Sequence, residues 1–222
     1  MMRAIAIATM ILLGLSARAE MVTLSQGGIE GERADGVLAF RGLRYAQPPL
    51  DALRWMPPVP VDASSDELTV DASTYGPACL QPVSRYSVAP AGYSEDCLSL
   101  NIWSPSLTGK LPVMVWIHGG GFRTGSNVIP GEAFAERDVV VVAPNYRLGP
   151  LGFFAHEALV GDVANFGLLD LELSLQWVQD NIERFGGDPD NVTIFGVSAG
   201  AQAVNLLMAS PRTDGLFHRA IA

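Results

Sequence analysis

The chain has 222 residues, with 14 Lys and Arg against 23 Asp and Glu, a formal net charge of −9, and 49% hydrophobic residues. That acidity argues against nucleic acid or an anionic membrane surface as a partner. The length holds one domain with a good core, and there is no repeat, charge block or low-complexity linker.

Met1-Met2-Arg3 is a short positive start, Ala4 to Leu15 is apolar, and Ala17-Arg18-Ala19 offers small residues where a signal peptidase reads. Residues 1–19 are therefore expected to be a secretory signal peptide cleaved after Ala19, making the product secreted or periplasmic. The apolar run is too short for a membrane span of about 20 residues, so no stable anchor is expected; a retained anchor is the alternative. Removing 19 of the 222 residues leaves 203, and losing two arginines and no acid moves the charge from −9 to −11.

Met21 to Phe40 alternates short apolar pieces with glycine-rich turns, which predicts a small antiparallel sheet. Residues 46–62 carry Pro48-Pro49 and Pro57-Pro58 and read as an extended surface segment in which Trp55 is packed rather than functional. Cys79 and Cys97 are the two cysteines. An even count in an oxidising compartment fits one disulfide closing about 17 intervening residues, worth about 3 kcal/mol by chain entropy; two buried thiols are the alternative.

Leu111 to His118 reads as a strand that runs into Gly119-Gly120-Gly121-Phe122. Val139 to Ala143 is β-branched without polar alternation, the mark of a strand buried on both faces. Asn165-Phe166-Gly167 opens a long helix whose Leu168, Leu171, Leu175, Val178, Ile182 and Phe185 form one apolar stripe. Gly186-Gly187 ends it, and Asp188-Pro189 reads as a turn into a strand from Val192 to Phe195. Gly196-Val197-Ser198-Ala199-Gly200 follows at once, and Ala201 to Ala209 reads as a helix stopped by Ser210-Pro211. This order gives the α/β class.

Strand, tight turn and helix around Gly-x-Ser-x-Gly make a nucleophile elbow of that turn. A serine on so sharp a turn needs tiny neighbours, which Gly196 and Gly200 supply. The amide of Ala199 opens a helix, where the dipole favours an anion. His118-Gly119-Gly120-Gly121 is the loop type that supplies oxyanion-hole amides in lipases and esterases. The bland reading of each motif, a flexible glycine turn, weakens when both occur in this order.

With these motifs, the chain resembles the type-B carboxylesterase and cholinesterase family of α/β-hydrolases. The resemblance rests on Phe185 to Gly200, Glu95 to Ile102, His118 to Phe122, Asn145 to Gly149, Gln176 to Ile182 and Phe40 to Pro49, and runs from about Val22 to the last residue. It departs from the family at Val197, where Glu is usual, and at Ser99, where an aromatic residue or Thr is usual. The resemblance implies an α/β-hydrolase fold, with the small N-terminal antiparallel sheet leading into a mostly parallel central sheet flanked by helices. It implies the Cys79–Cys97 pairing as well. In cholinesterases the matching loop carries a Trp that holds choline; Leu80 to Asp96 has Tyr86 and Tyr93 but no Trp, so a quaternary ammonium substrate is not supported.

The chemistry implied is a serine carboxylic-ester hydrolase acting on a small-molecule ester. Ser198 attacks the carbonyl and is acylated, and the amides of Gly120, Gly121 and Ala199 hold the oxyanion. No metal or organic cofactor is needed. The fold's order is Ser, then Asp or Glu, then His. Asp214 and His218 follow Ser198 but stand four apart in a segment resembling the family's lead into the next strand, where neither is catalytic. His118 reads as structural, and His156 has no evident partner. Residues 20–222 are therefore expected to be the N-terminal portion of the hydrolase domain, a truncated fold ending just before a strand and lacking the acid and the histidine, inactive alone. A non-catalytic remnant or an adhesion-type member of the same fold is the alternative.

Overall fold

The computed structural model describes residues 18–25, 27–61, 69–83, 88–159 and 164–222. The apolar stretch at 4–15 and Tyr86 lie outside these residues. The chain opens with β1 (Arg18–Leu24), β2 (Gly27–Ala34) and β3 (Val37–Arg44), an antiparallel meander. Asp35 and Gly36, both at positive φ (51° and 87°), make the two-residue turn between β2 and β3. Asp-Gly is the dipeptide that such a primed hairpin turn demands.

The meander is not a separate sheet. β4 (Thr69–Asp71) pairs with β2, and β3 runs on into β7 (Ser99–Ser104), within one nine-stranded sheet ordered β1-β2-β3-β7-β9-β8-β10-β11. Here β8 is Leu111–Ile117, β9 Val140–Pro144, β10 Gly187–Gly196 and β11 Arg219–Ile221. Along that order pairing is antiparallel up to β7–β9, and β9, β8, β10 and β11 then run parallel; the β2–β4 pair beside it is also parallel. The site-bearing half is thus the parallel half, and β8 and β10 deliver their carboxyl ends side by side. Two short strands, β5 (Ala78–Cys79) and β6 (Tyr93–Ser94), pair apart from this sheet, next to the Cys79–Cys97 disulfide.

Three expectations are corrected. Asp188 to Asn191 do not form a turn outside the sheet: β10 starts at Gly187, which pairs with Leu111 before Val192 pairs with Val113, so the polar residues bulge within the strand. The apolar stripe does not ride on one continuous helix: α3 (Phe166–Asn181) gives way to a 3-10 turn over Ile182–Phe185, closed by Gly186 at φ 80°. The chain does not stop short of the next strand, because Arg219–Ile221 already pairs with Thr193–Phe195.

One face of the sheet holds the larger core. Val113, Val115 and Ile117 of β8 and Val192 and Ile194 of β10 meet Leu171, Leu175 and Val178 of α3. Ala203, Val204 and Leu207 of α4 (Ala199–Ala209) join them. Burying each of the larger aliphatic side chains stabilises by roughly 1.5–3 kcal/mol. The opposite face carries Trp103, Val141 and Ala143, packed with Ala135 of α1 (Glu132–Ala135). Met114, Trp116 and Phe195 lie on that face and are only half-buried. The strand at Val140–Pro144 is buried throughout, as its run of valines predicts.

β7 shows why polar residues can sit at the centre of a sheet. Asn101 is fully buried, yet its Oδ1 accepts from the Gly42 amide (2.9 Å) and its Nδ2 donates to the Asn127 carbonyl (3.0 Å). A satisfied amide is tolerated there, whereas an orphaned one costs about 1–3 kcal/mol.

Candidate active site

Ser198 sits between the carboxyl end of β10 and the first residue of α4, at φ 57° and ψ −122°. A non-glycine residue held there stores about 1–3 kcal/mol of strain, tolerated only where the surroundings over-determine it. The surroundings here are glycines and helix bonds. The Gly200 amide donates to the Val197 carbonyl (2.9 Å) and the Gln202 amide to the Ser198 carbonyl (3.0 Å). A Cβ on Gly196 would lie 2.6 Å from the Gly200 carbonyl carbon, and one on Gly200 would overlap the Ile117 carbonyl. The turn therefore presses against the end of β8, and Ser198 is exposed at the carboxyl ends of the parallel strands.

The glycine loop after β8 lies against this turn. A Cβ on Gly119 would meet the Val197 carbonyl at 2.6 Å and Ser198 Cβ at 3.3 Å, so only glycine permits the approach. Gly120 (φ 108°) and Gly121 (φ 64°) follow in backbone conformations that suit glycine. Among the described residues, no acceptor takes the amides of Gly120, Gly121 or Ala199. Three unengaged donors flank the serine from two adjacent strands, and the Ala199 donor carries the positive end of the α4 dipole.

The loop is braced from below and beside. The Gly120 carbonyl accepts from the Arg123 and Thr124 amides (3.1 Å each), which curls the loop back on itself. Gln81, two residues beyond Cys79, exchanges bonds with Gly125: its Oε1 accepts from the Gly125 amide (2.8 Å) and its Nε2 donates to the Gly125 carbonyl (2.7 Å). The disulfide loop thus clamps the glycine loop. From the other side, Tyr146 donates its hydroxyl to the His118 carbonyl (2.8 Å) and stacks on the His118 ring at 4.3 Å. The next residue, Arg147, is locked to Asp170 of α3 by a bidentate ion pair (2.8 and 2.6 Å), both groups buried. Gln81, Tyr146 and the Arg147–Asp170 pair escape a sequence reading because each acts through a partner distant in the chain.

Each histidine has a place. His118 is buried under Tyr146; its Nδ1 contacts the Gly119 carbonyl (2.9 Å) and its Nε2 has no partner among the described residues. Burial lowers its pKa to about 4, so it is neutral near pH 7 and a weak base. His156 is exposed and its Nδ1 accepts from the Ala158 amide (3.0 Å). His218 lies beside Val192: its amide donates to the Val192 carbonyl (2.8 Å) and its Nδ1 accepts from the Val192 amide (3.1 Å). Val192 stands four residues, about 13 Å of strand, before the end of β10 at Gly196, and the turn to Ser198 follows, so His218 lies along β10 away from the serine. Asp214 is exposed beyond the 3-10 turn Pro211–Thr213. Among the described residues, none of the three histidines is hydrogen-bonded to Ser198.

An open cavity of about 310 Å³ lies over the serine, lined by Val88, Trp116, Gly120, Ile129, Val197 and Ser198 among others. A larger cleft of about 590 Å³ lies elsewhere, between Leu24 and Trp177, away from the elbow. Among the described residues, no group of three or more His, Cys, Asp or Glu is placed to hold a metal ion. No helix among them is long and apolar enough to cross a membrane.

The description "Carboxylesterase family" belongs to the family model that matches residues 18–222. Fumonisin B1 esterase of Sphingopyxis macrogoltabida is 48% identical over 206 residues, covering 88% of this chain and 38% of that protein. Para-nitrobenzyl esterase of Bacillus subtilis is 42% identical over 212 residues (91% and 43%). Liver carboxylesterase 1 of Oryctolagus cuniculus is 46% identical over 208 residues (85% and 36%). The chain therefore spans 36–43% of the length of these curated relatives. Among solved structures, a thermophilic pNB esterase superposes with a TM-score of 0.83 at 40% identity, covering 90% of this chain and 43% of that one. A carboxylesterase of Geobacillus stearothermophilus gives 0.82 at 44% identity (90% and 42%).

Proposed function

The chain belongs to the carboxylesterase family, and on that premise we propose that it carries the nucleophile and oxyanion hole of a serine carboxylic-ester hydrolase. The observation that carries this reading is the strained Ser198 flanked by three unengaged amides from two adjacent strands. Ser198 Oγ bonds to the ester carbonyl carbon while a general base takes its proton. The carbonyl oxygen gains negative charge and accepts from the amides of Gly120, Gly121 and Ala199. Each such donor is worth roughly 3–4 kcal/mol of barrier. The intermediate collapses, the alcohol leaves with the proton, and water then releases the acid from the acyl-enzyme.

The base and the carboxylate that orients it come from outside this chain. His118 is buried and poorly basic, His218 is bonded to Val192 four residues before the carboxyl end of β10, and His156 is bonded within its own loop. Residues 20–222 are on this reading the amino-terminal portion of the catalytic domain, inactive alone. The apolar start directs the protein to the periplasm or the medium, where the disulfide is stable.

A fluorophosphonate probe on the full-length protein tests the assignment. The adduct is expected on Ser198, and Ser198→Ala is expected to cost on the order of 10⁶ in turnover. An adduct on another residue, or none in a folded protein, returns the non-catalytic, adhesion-type reading.

A further inference from the structure

The glycine loop aims its amides by anchoring its carbonyls. A trans peptide points its N–H and its C=O in opposite directions, and among the described residues no peptide bond is cis. The Gly120 amide therefore points away from the Gly119 carbonyl, and the Gly121 amide away from the Gly120 carbonyl. Both carbonyls are engaged. The Gly119 oxygen lies 2.9 Å from His118 Nδ1. The Gly120 oxygen accepts from the Thr124 amide (3.1 Å) and from the Thr124 hydroxyl (3.2 Å).

The peptide that joins Thr124 to Gly125 packs directly onto this arrangement. A Cβ on Gly120 would overlap the Thr124 carbonyl oxygen. One on Gly125 would collide with His118 Nδ1 and lie 2.6 Å from the Gly119 carbonyl oxygen. Gln81 fixes that peptide. Its Oε1 accepts from the Gly125 amide (2.8 Å), the N–H of the same peptide whose carbonyl meets Gly120. Its Nε2 donates to the Gly125 carbonyl (2.7 Å) and to the Cys79 carbonyl (3.0 Å). Cys79 is buried and bridged to Cys97. A carboxamide rooted beside a covalent cross-link, 44 positions before Gly125, thus holds a peptide that touches the glycine loop. Glycine has the most backbone freedom to lose, so three in a row keep one aim only where their neighbours impose it.

We propose that Gln81 is a positioning residue for the oxyanion hole: by fixing the Thr124–Gly125 peptide it aims the amides of Gly120 and Gly121 at the carbonyl oxygen of the substrate. The inference rests on the esterase reading and adds to it a side chain that acts through Gly125, which lines the cavity over Ser198.

The test uses full-length protein whose active sites are counted by fluorophosphonate taken to completion, so that a loss of folded molecules does not enter kcat. Hydrolysis of p-nitrophenyl acetate gives kcat and KM, and a trifluoromethyl ketone gives an inhibition constant for an adduct whose oxyanion occupies the hole. Gln81→Ala is expected to lower kcat about tenfold at nearly unchanged KM, less than the roughly 10²–10³ of losing a donor outright, and to weaken the ketone by a similar factor. Gln81→Glu keeps the Oε1 acceptor but turns an unprotonated oxygen toward two carbonyls. Its kcat relative to the unaltered protein is expected to rise as pH falls from about 8 to about 6, where a protonated carboxyl donates again. An unchanged kcat per site in Gln81→Ala, a loss confined to KM, unchanged ketone binding or a Gln81→Glu ratio indifferent to pH overturns the proposal and leaves the esterase standing. Failure of both variants to fold makes Gln81 a folding residue and overturns the proposal as well. No hydrolysis by the unaltered protein, or hydrolysis that survives Ser198→Ala, overturns the esterase reading and this assignment with it.

Discussion

His118 carries a cost that pH can reveal. It is buried against Tyr146, and its Nε2 is without a partner among the described residues. Burial lowers its pKa from 6.5 to about 4. Between those values the unfolded chain binds the extra proton and the folded one does not, so this contribution to stability is fully present above pH 6.5 and is lost as pH falls toward 4. The loss amounts to roughly 3 kcal/mol. Urea unfolding from pH 7 to pH 4 should therefore show a slope that is shallower in His118→Gln, and parallel slopes would refute the assignment. Ser198 is legible in sequence because Gly-x-Ser-x-Gly imposes itself locally. The state of His118 is not, since it depends on Tyr146, 28 residues away in the chain.

The elbow meets the end of β8 with no room for a side chain. A methyl group on Gly200 would overlap the Ile117 carbonyl and reach 3.0 Å from the His118 carbonyl. Gly200→Ala should therefore push α4 off the end of β8, lowering stability by about 1–3 kcal/mol. Turnover should fall by more than that stability change implies; thermal unfolding and kinetics on one preparation check both. The Cys79–Cys97 bridge acts at the same scale, because Gln81 beyond it clamps Gly125. Peptide mapping without reductant should find the two linked, and replacing both by Ala should cost about 3 kcal/mol and reduce kcat. Thiols that alkylate in the native protein would contradict this. Apolar elements were readable from residue pattern: β8, β9, α3 and α4 lie close to where periodicity puts them. β7 was not, because Ser99, Asn101 and Ser104 break its apolar run, and their partners lie on other strands and loops. The polar start of β10 misled for a similar reason: Asp188-Pro189 is turn chemistry, here absorbed into a bulge.

At the scale of the whole molecule, the sheet has one half-covered face and an open edge. Met114, Trp116 and Phe195 are half-buried, and Ile221 on the edge strand β11 is 56% exposed. Residues 20–222 produced alone should consequently associate, since an exposed apolar strand edge is a template for pairing. Esterase activity of that piece should not exceed the residual of roughly 10³–10⁴ over water that oxyanion donors and binding supply without a base. Light scattering, thermal unfolding and hydrolysis of p-nitrophenyl acetate test this. A cooperative monomer with Ser198-dependent turnover near 10 s⁻¹, about the median for enzymes, would show that a base lies within the chain. The α/β class was legible as the alternation of strand and helix. The strand order was not, since placing β9 between β7 and β8 is decided by long-range pairing.

That order also sets when the site comes into being. The glycine loop follows Ile117 and the serine follows Gly196, and those two residues are partners across the β8–β10 pair. They stand 79 positions apart in sequence, with β9 and α3 between them. On the proposed reading, neither half of the oxyanion hole has a neighbour until that distant pairing closes, and non-local pairing is slow because loop-closure entropy precedes its reward. On that reading, reactivity at Ser198 should serve as a clock for the completion of the sheet. In refolding full-length protein, pulses of fluorophosphonate should label nothing while helix content is already recovering, and labelling should rise only with the last, slowest phase.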